Sequence, residues 1–302
     1  MEKVEKKVRV SKDIPVDGKK AYLPHPVFQS TLFAATRTRK EGEYRKNSLT
    51  VVSENQFGDI VTIVSPRTLF VSPDMGVFLA TVACAQHAGF TIFVNSETGE
   101  QEPFMRAEFP LSWLYELTGI SGKGKGRYQL LTSLEVLGHV GLSIRFSDKS
   151  ALTRQRGKYS FIVDNFWRLS IERRMGRKGS IVKLYPSPFL APKERFLWAD
   201  AELCNKLKKD TAKGIFWQLI CREHQTGTAE EWRKWLNASE DWEVKKWKHA
   251  QLMPALEELA GYGYTVKEDG DEITVARPKT EFHVSKRIGK NKYVKVEKLK
   301  RR

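Results

Sequence analysis

One pattern occurs twice in this chain and decides its fold: LSWLYELTG (111–119) with YQLLTSLEVLG (128–138), and then AEEWRKWLNA (229–238) with AQLMPALEELAG (250–261). In the first stretch of each pair, a tryptophan precedes a leucine by four residues, which places both side chains on one face of a helix. In the second stretch, three leucines follow the i, i+4, i+7 spacing of a buried helical stripe. The repeat predicts two similar pairs of helices, each a short helix followed by a longer one.

Each leucine stripe is followed by a glycine and then by a segment with strand character. Gly138 precedes the alternating segment 140–146, and Gly261 precedes 262–266, which continues through a glycine turn into 273–275. A short helix, a turn, a longer helix and a β-hairpin are typical of the winged helix-turn-helix. Leucine stripes alone fit any two amphipathic helices, so the glycine stops and the hairpins carry the prediction.

The same pattern divides the chain into domains. Apolar helices are expected ahead of the two units, at residues 73–88 and 211–222. We therefore predict an α+β protein with two tandem winged-helix domains. The expected parts are a basic N-terminal arm (1–46), a first winged-helix domain with a basic β-hairpin (47–190), a second winged-helix domain (191–277) and a flexible basic tail (278–302).

Charge is distributed unevenly along the chain. The chain carries 52 lysines and arginines against 36 acidic residues, a net charge of +16 with a pI near 9.7, which favours a polyanionic partner. Residues 145–183 and residues 278–302 each carry a net charge of +8, and residues 1–46 carry +6. Residues 47–144 and 184–277 are slightly acidic overall. The excess charge thus predicts phosphate contacts that do not depend on sequence.

The central basic block is expected to form a strand hairpin with a basic tip. Apolar and polar residues alternate at 158–163, and glycines mark a turn near 176–179. The tip carries Arg173, Arg174, Arg177 and Lys178. The tail beyond residue 278 is predicted to contact phosphates as well. The alternative, a solvated tail that makes no contacts, is not excluded by the sequence.

The sequence lacks the motifs of common enzyme classes. GISGKGKG at 119–126 fits the phosphate-binding loop, but it ends in glycine where a hydroxyl should hold magnesium, and it follows a predicted helix. No two of the six histidines lie within three residues of each other, so a local ligand pair is missing. We expect no catalytic residues, no cofactor and no metal site.

Cysteine usage and hydropathy predict an intracellular protein. Cys84, Cys204 and Cys221 are far apart and are expected to be buried, reduced thiols. The chain starts without an apolar signal segment, and the apolar stretch 77–85 is too short to span a bilayer. A cytoplasmic location without membrane association is the expectation.

Candidate DNA-binding residues follow from the two helix pairs. In a helix-turn-helix, the second helix enters the major groove and its exposed residues read base edges, while neighbouring residues hold phosphates. Arg127 is the first choice for base reading because arginine can pair bidentately with guanine. The predicted set is Lys123, Lys125, Arg127, Gln129 and Ser133 in the first unit, Lys245, Lys246 and His249 in the second, and Arg173, Arg174, Arg177 and Lys178 in the hairpin.

Several of these segments resemble the TrfA-like replication initiator proteins of bacterial plasmids, which have two winged-helix domains. STLFAATR at 30–37 is similar to that family's N-terminal motif, and GRY at 126–128 is similar to the start of its first recognition helix. VKKWK at 244–248 and LEELAG at 256–261 are similar to parts of its second. Pro254 departs from the pattern and is expected to kink or split the second recognition helix.

The resemblance implies a plasmid replication initiator. Such a protein binds repeated origin sequences in double-stranded DNA, promotes opening of an adjacent A·T-rich region and recruits the host replicative helicase and initiator. It also implies contact with single-stranded A·T-rich DNA and a monomer–homodimer equilibrium that serves copy control. A winged-helix transcriptional regulator or repressor without an initiator role stays open as the alternative.

One short segment suggests a further partner. Gln29, Leu32 and Phe33 match the Q-x-x-L-F pattern by which bacterial replication proteins dock onto the sliding clamp. The alternative is that Leu32 and Phe33 pack into the core.

Overall fold

A computed structural model of the chain describes residues 4–8, 18–24, 33–35, 49–54, 60–94, 106–145, 161–173, 179–186, 196–238, 242–278, 286–288 and 292–294. The helices are α1 (Gly76–Ala88), α2 (Leu111–Thr118), α3 (Gly124–Gly138), α4 (Ala201–Lys206), α5 (Asp210–Leu219), α6 (Ala229–Trp235), α7 (Val244–Trp247) and α8 (Met253–Ala260). Wide π-type turns at Val71–Met75 and Lys248–Leu252 lead into α1 and join α7 to α8.

Strands connect these helices. In chain order they are β1 (Val4–Val8), β2 (Lys20–Pro24), β3 (Phe33–Ala34), β4 (Leu49–Glu54), β5 (Ile60–Ser65), β6 (Leu69–Phe70), β7 (Phe90–Val94), β8 (Ala107–Pro110), β9 (Gly141–Arg145), β10 (Phe161–Asn165), β11 (Trp167–Arg173), β12 (Ser180–Pro186), β13 (Phe196–Asp200), β14 (His224–Thr228), β15 (Thr265–Asp269), β16 (Glu272–Ala276), β17 (Lys286–Ile288) and β18 (Lys292–Val294).

The two units have the same topology. In the first, β8 precedes α2 and α3, and it pairs with β12, the second strand of the hairpin β11–β12. In the second, β14 precedes α6 and the α7–α8 segment, and it pairs with β16, the second strand of the hairpin β15–β16. A leading helix, a strand, two helices and a hairpin that pairs with the first strand make a winged helix. The predicted α+β fold with two tandem winged-helix domains is confirmed.

The leucine stripes form the cores of both units. Leu130, Leu134 and Leu137 are each at most 1% exposed, and so are Leu252, Leu256 and Leu259. Helix α1 is apolar on every side and is buried from Gly76 to Gln86, as expected for a central core helix. The helical periodicity therefore predicted both the elements and the faces that they bury.

The wing of the first unit differs from the prediction. Residues 140–146 were expected to begin it, but β9 instead joins a separate sheet in the order β10-β9-β5-β4. The basic hairpin β11–β12 is itself the wing, with Arg173 opposite Ser180. The alternating segment 158–163, which was expected to form part of this hairpin, instead contributes residues 161–163 to β10 of the separate sheet. Alternation along a segment predicts a strand, but it does not identify the strand with which it pairs.

The basic N-terminal arm contributes to the folded units. Strand β1 pairs with β7, and β2 pairs with β13. The Tyr22 amide donates to Gln86 Oε1 (2.9 Å), and Gln86 Nε2 donates back to the Tyr22 carbonyl (2.7 Å). Gln86 lies near the end of α1, so it ties β2 to the central helix. In the tail that was predicted to be flexible, β17 pairs with β18.

Residues 33–35 connect the two units. The Phe33 ring meets the Trp217 ring of α5 edge-on at 5.0 Å and lies 6.0 Å from the Phe78 ring of α1. The Ala35 amide donates to the carbonyl of Leu236 at the end of α6 (3.0 Å). The segment therefore packs between the leading helices of both units.

The cysteines are free, and burial makes them poor nucleophiles. Cys84 and Cys204 are buried, and desolvation raises the pKa of each thiol to about 12. Burial also raises the pKa of Cys221 above its ordinary value. Cys84 and Cys204 are thus buried as expected, whereas Cys221 is only half-buried. None of the helices in the described ranges is long and apolar enough to cross a membrane.

Candidate nucleic-acid interface

A tight glycine turn joins α2 to the first recognition helix, α3. Gly119 ends α2 in the left-handed conformation with φ of 68°. A methyl group added at Gly126 would lie 2.6 Å from the Ser121 carbonyl oxygen and 3.0 Å from the Ser121 amide nitrogen. The turn therefore requires glycine for close backbone packing. It follows a helix, so it lacks the strand that precedes a nucleotide-binding loop.

Gly126→Ala is expected to destabilise the first unit by about 1–3 kcal/mol, because the new methyl group forces the turn apart. Gly138→Ala in the same helix is the matched control, since its methyl group would approach no atom closer than 3.6 Å. That change should stabilise the protein by about 0.4–1 kcal/mol, because alanine lowers the conformational entropy of the unfolded chain. Thermal unfolding of both variants checks this, and equal midpoints would contradict the role of the turn.

The start of α3 presents the predicted cations to solvent. Lys123, Lys125 and Arg127 are exposed, and Gln129 is half-buried. The free amide groups of the first helical turn lie beside these cations, and helix starts of this kind favour anions such as phosphate. These residues are exposed as a DNA-reading helix requires. Their contacts with DNA stay predictions.

Ser133 does not belong to this surface, and its predicted contact with DNA is wrong. It is 1% exposed, and its hydroxyl donates to Asp74 Oδ1 at 2.7 Å. Asp74 is fully buried and also accepts bonds from Arg67 Nη1 (2.7 Å), Arg67 Nη2 (2.8 Å) and the Phe70 amide (3.0 Å). Ser133 lies beside the leucine stripe, and its hydroxyl fixes α3 to the turn that precedes α1.

The basic tip of the first wing lies at the far end of β11. Arg173 is the last residue of that strand, and Gly179 begins the return with φ of 68°. Arg174, Arg177 and Lys178 lie outside the described residues. The hairpin with the basic residues between its strands is confirmed, and its grip on phosphates stays a prediction.

The second recognition helix presents a cationic face as well. Trp247 and Leu252 are at most 2% exposed, whereas Lys245, Lys246 and His249 are exposed. Those three side chains line one shallow, open depression together with Glu243 and Ala250. Helix α6 precedes it in the chain and starts with a capping box between Thr228 and Glu231.

Pro254 is accommodated by a wider turn. The wide turn Lys248–Leu252 lies just before it, and Pro254 occupies the first turn of α8. The backbone at the junction stays helical, with φ −71° and ψ −56° at Leu252 and φ −57° and ψ −47° at Met253. A proline lacks the amide hydrogen for a regular helix and clashes with the preceding turn. The predicted split is not observed, because the wide turn accommodates the proline while the backbone stays helical.

The second wing is acidic, in contrast to the first. Its exposed residues include Glu268, Asp269, Asp271 and Glu272, and Glu268 lies 3.7 Å from the ammonium of Lys248. An acidic hairpin repels phosphates, so phosphate contacts are expected from the first wing and not from the second. The net charge of residues 184–277 did not reveal the acidic wing, because lysines elsewhere in the domain balance its negative charges.

Phe33 is not available to a sliding clamp. It is 5% exposed and packs against Trp217. The clamp-binding prediction for Phe33 is wrong, because an aromatic side chain enclosed between two domains cannot dock elsewhere. Gln29 and Leu32 lie outside the described residues.

Helix geometry identifies one residue that the sequence patterns missed. Tyr128 is 72% exposed on α3, between Lys125 and Thr132 on the helix face opposite the leucine stripe. From composition alone, an aromatic residue next to a leucine-rich stretch is expected in the hydrophobic core. Counting about 100° per residue from Leu130 places it on the outside.

Comparisons with known proteins bear on the fold alone. No family model and no curated protein matches the chain. Among solved structures, it is similar to a crystal structure of domains 2 and 3 of RctB, with a TM-score of 0.51 and 13% identity over 83% of this chain and 96% of that one. The chain shares its fold with RctB domains 2 and 3.

Two further structures are similar at lower scores. Another crystal structure of RctB domains 2–3 has a TM-score of 0.49 and 11% identity over 83% of this chain and 96% of that one. The Pi initiator protein in complex with iteron DNA has a TM-score of 0.40 and 15% identity over 68% of this chain and 89% of that one. The similarity to RctB domains 2 and 3 at 13% identity concerns the fold, so membership of the TrfA-like family stays a prediction.

Proposed function

We propose that this protein is a plasmid replication initiator that binds repeated origin sequences in double-stranded DNA. One observation carries the proposal: two winged-helix units of the same topology each expose cations on the recognition helix. Lys123, Lys125 and Arg127 occupy the first, and Lys245 and Lys246 occupy the second. In each unit the leucine stripe holds the helix against the core, and the exposed cations lie where they can enter the major groove of DNA.

The two units act together on one duplex in this proposal. Each recognition helix reads one major groove, and successive grooves on one side of the DNA are about 10–10.5 base pairs apart. Two linked weak contacts give a tighter complex than either alone, because the second contact is intramolecular. The basic wing, the arm and the tail carry the excess positive charge of the chain, and they supply nonspecific phosphate contacts.

The initiator role rests on the resemblance to TrfA-like proteins in residues 30–37, 126–128, 244–248 and 256–261. In that role the protein binds origin repeats, promotes opening of adjacent A·T-rich DNA and recruits the host replicative helicase and initiator. A monomer–homodimer equilibrium then serves copy control. The absence of an enzyme motif in the sequence fits an initiator that acts by binding, without catalysis.

Arg127→Ala tests base reading by the first unit. The change is expected to weaken binding to the preferred site by about 1–3 kcal/mol and to relax sequence preference at one position. Arg127→Lys keeps the charge but loses the bidentate geometry, so it should lose the preference and keep most of the nonspecific binding. Gel-shift titration against matched and substituted sites measures both. Full discrimination by Arg127→Ala would remove that residue from base reading.

A transcriptional regulator is the rival function, and a replication assay separates the two. A plasmid that carries the bound repeats but lacks an initiator gene should replicate in a suitable host only when this protein is supplied. A regulator would repress a promoter that contains its site and would leave that plasmid unable to replicate. Direct repeats in the bound DNA favour initiation, and a single promoter palindrome favours regulation.

A further inference from the structure

Tyr128 is the most exposed large apolar side chain among the described residues, at 72%. It lies in the N-terminal half of α3, next to the exposed Arg127. The large apolar residues of the stripe on the same helix, Leu130, Leu134 and Leu137, are at most 1% exposed. Because this ring stays exposed to water, it contributes little burial free energy to folding.

The neighbours of Tyr128 indicate which way it faces. Lys125 and Thr132 lie three residues before it and four after it, so all three share one face of the helix. Lys125 is exposed and Thr132 is half-buried. The N-terminal residues of a recognition helix are the ones that contact base edges. The ring therefore lies on the solvent-facing side of α3, between two polar side chains.

We propose that Tyr128 reads thymine through its C5 methyl group in the first half of the site, a proposal that rests on the proposed function. Among the base edges that the major groove displays, the thymine methyl group is the apolar one. The aromatic ring gains free energy by covering that methyl group, because apolar surface leaves water on both sides. Its hydroxyl stays at the ring edge, where it can donate to or accept from a neighbouring polar group. Arg127 and Tyr128 thus specify different bases of one half-site.

Replacing thymine by uracil tests the contact, since uracil differs only by the missing methyl group. Each thymine of the selected site is replaced in turn, and binding of the full-length chain is titrated. Wild type should lose about fourfold in affinity at one thymine, the value of one methyl group at ~0.8 kcal/mol. Tyr128→Phe should keep that sensitivity. Tyr128→Ala should bind thymine and uracil at this position equally.

Tyr262→Ala is the matched control, because Tyr262 is also exposed, at 41%, but follows α8 in the second unit. It should retain the thymine preference of wild type, and both variants should unfold at the wild-type temperature. Equal sensitivity to uracil in wild type and Tyr128→Ala would overturn the inference and leave the proposed function standing. If wild type selects no duplex sequence at all, the proposed function fails, and the inference fails with it.

Discussion

Asp74→Asn is expected to destabilise the first unit by about 3 kcal/mol, although Asp74 contacts no DNA. The carboxylate is fully buried and forms a two-bond ion pair with Arg67, whose side chain is 17% exposed. Removing one partner of such a pair leaves an uncompensated charge, at a cost of about 3–5 kcal/mol. Because Arg67 is partly exposed to solvent, the expected loss of stability lies at the lower end of this range.

The same change should weaken binding to the first half of the DNA site. Asp74 accepts the hydroxyl bond of Ser133 (2.7 Å) and so fixes the orientation of α3. Ser133→Ala removes that one bond and leaves the ion pair, so it should cost only about 1 kcal/mol. Urea unfolding and gel-shift titration of both variants check that Asp74→Asn has the larger effect on stability and on DNA binding. An Asp74→Asn protein as stable as Ser133→Ala would contradict the network.

The second large effect is expected from the second recognition helix. Lys245→Gln with Lys246→Gln should weaken DNA binding by about 30-fold, at ~1 kcal/mol for each lost contact. The slope of log affinity against log salt should become shallower by about 2, because two fewer counterions are released. Both lysines are exposed beside His249, so their replacement leaves the core intact.

Lys208→Gln with Lys209→Gln is the control for charge. These two exposed lysines belong to the same unit, but they lie at the start of α5, where their backbone amides bond to Glu258 (2.6 and 3.0 Å). The control removes the same charge and keeps both amides. Titration over a range of salt concentrations should show a much smaller loss. Equal losses in the two double variants would mean that the cations of α7 act only through net charge.

Local patterns predicted the helices but not the partners of the strands. The i, i+4, i+7 leucine stripes gave α3 and the α7–α8 segment with the correct buried faces, because a helix is a local structure. The partner of a strand is set by distant residues, so β9 was assigned to the wing although it pairs with β5 and β10. The basic hairpin was found, but its position as the wing followed only from its pairing with β8.

Single side chains were harder to place than elements. Ser133 was assigned to the DNA surface, yet it is held inside by the buried carboxylate of Asp74. Phe33 was a candidate for an exposed contact, and it is enclosed between two domains, while Tyr128 is exposed. Residue type alone does not separate these cases, because burial depends on neighbours that are far apart in sequence.

Selection of bound sites from random duplexes tests the central claim most directly. The two-unit model predicts an enriched site with two conserved blocks whose centres lie about 10–10.5 base pairs apart. Arg127→Ala should lose preference in one block, and the Lys245→Gln, Lys246→Gln protein should bind the second block weakly. No enrichment over the starting pool, or a single block insensitive to either change, would contradict sequence reading by two winged-helix units.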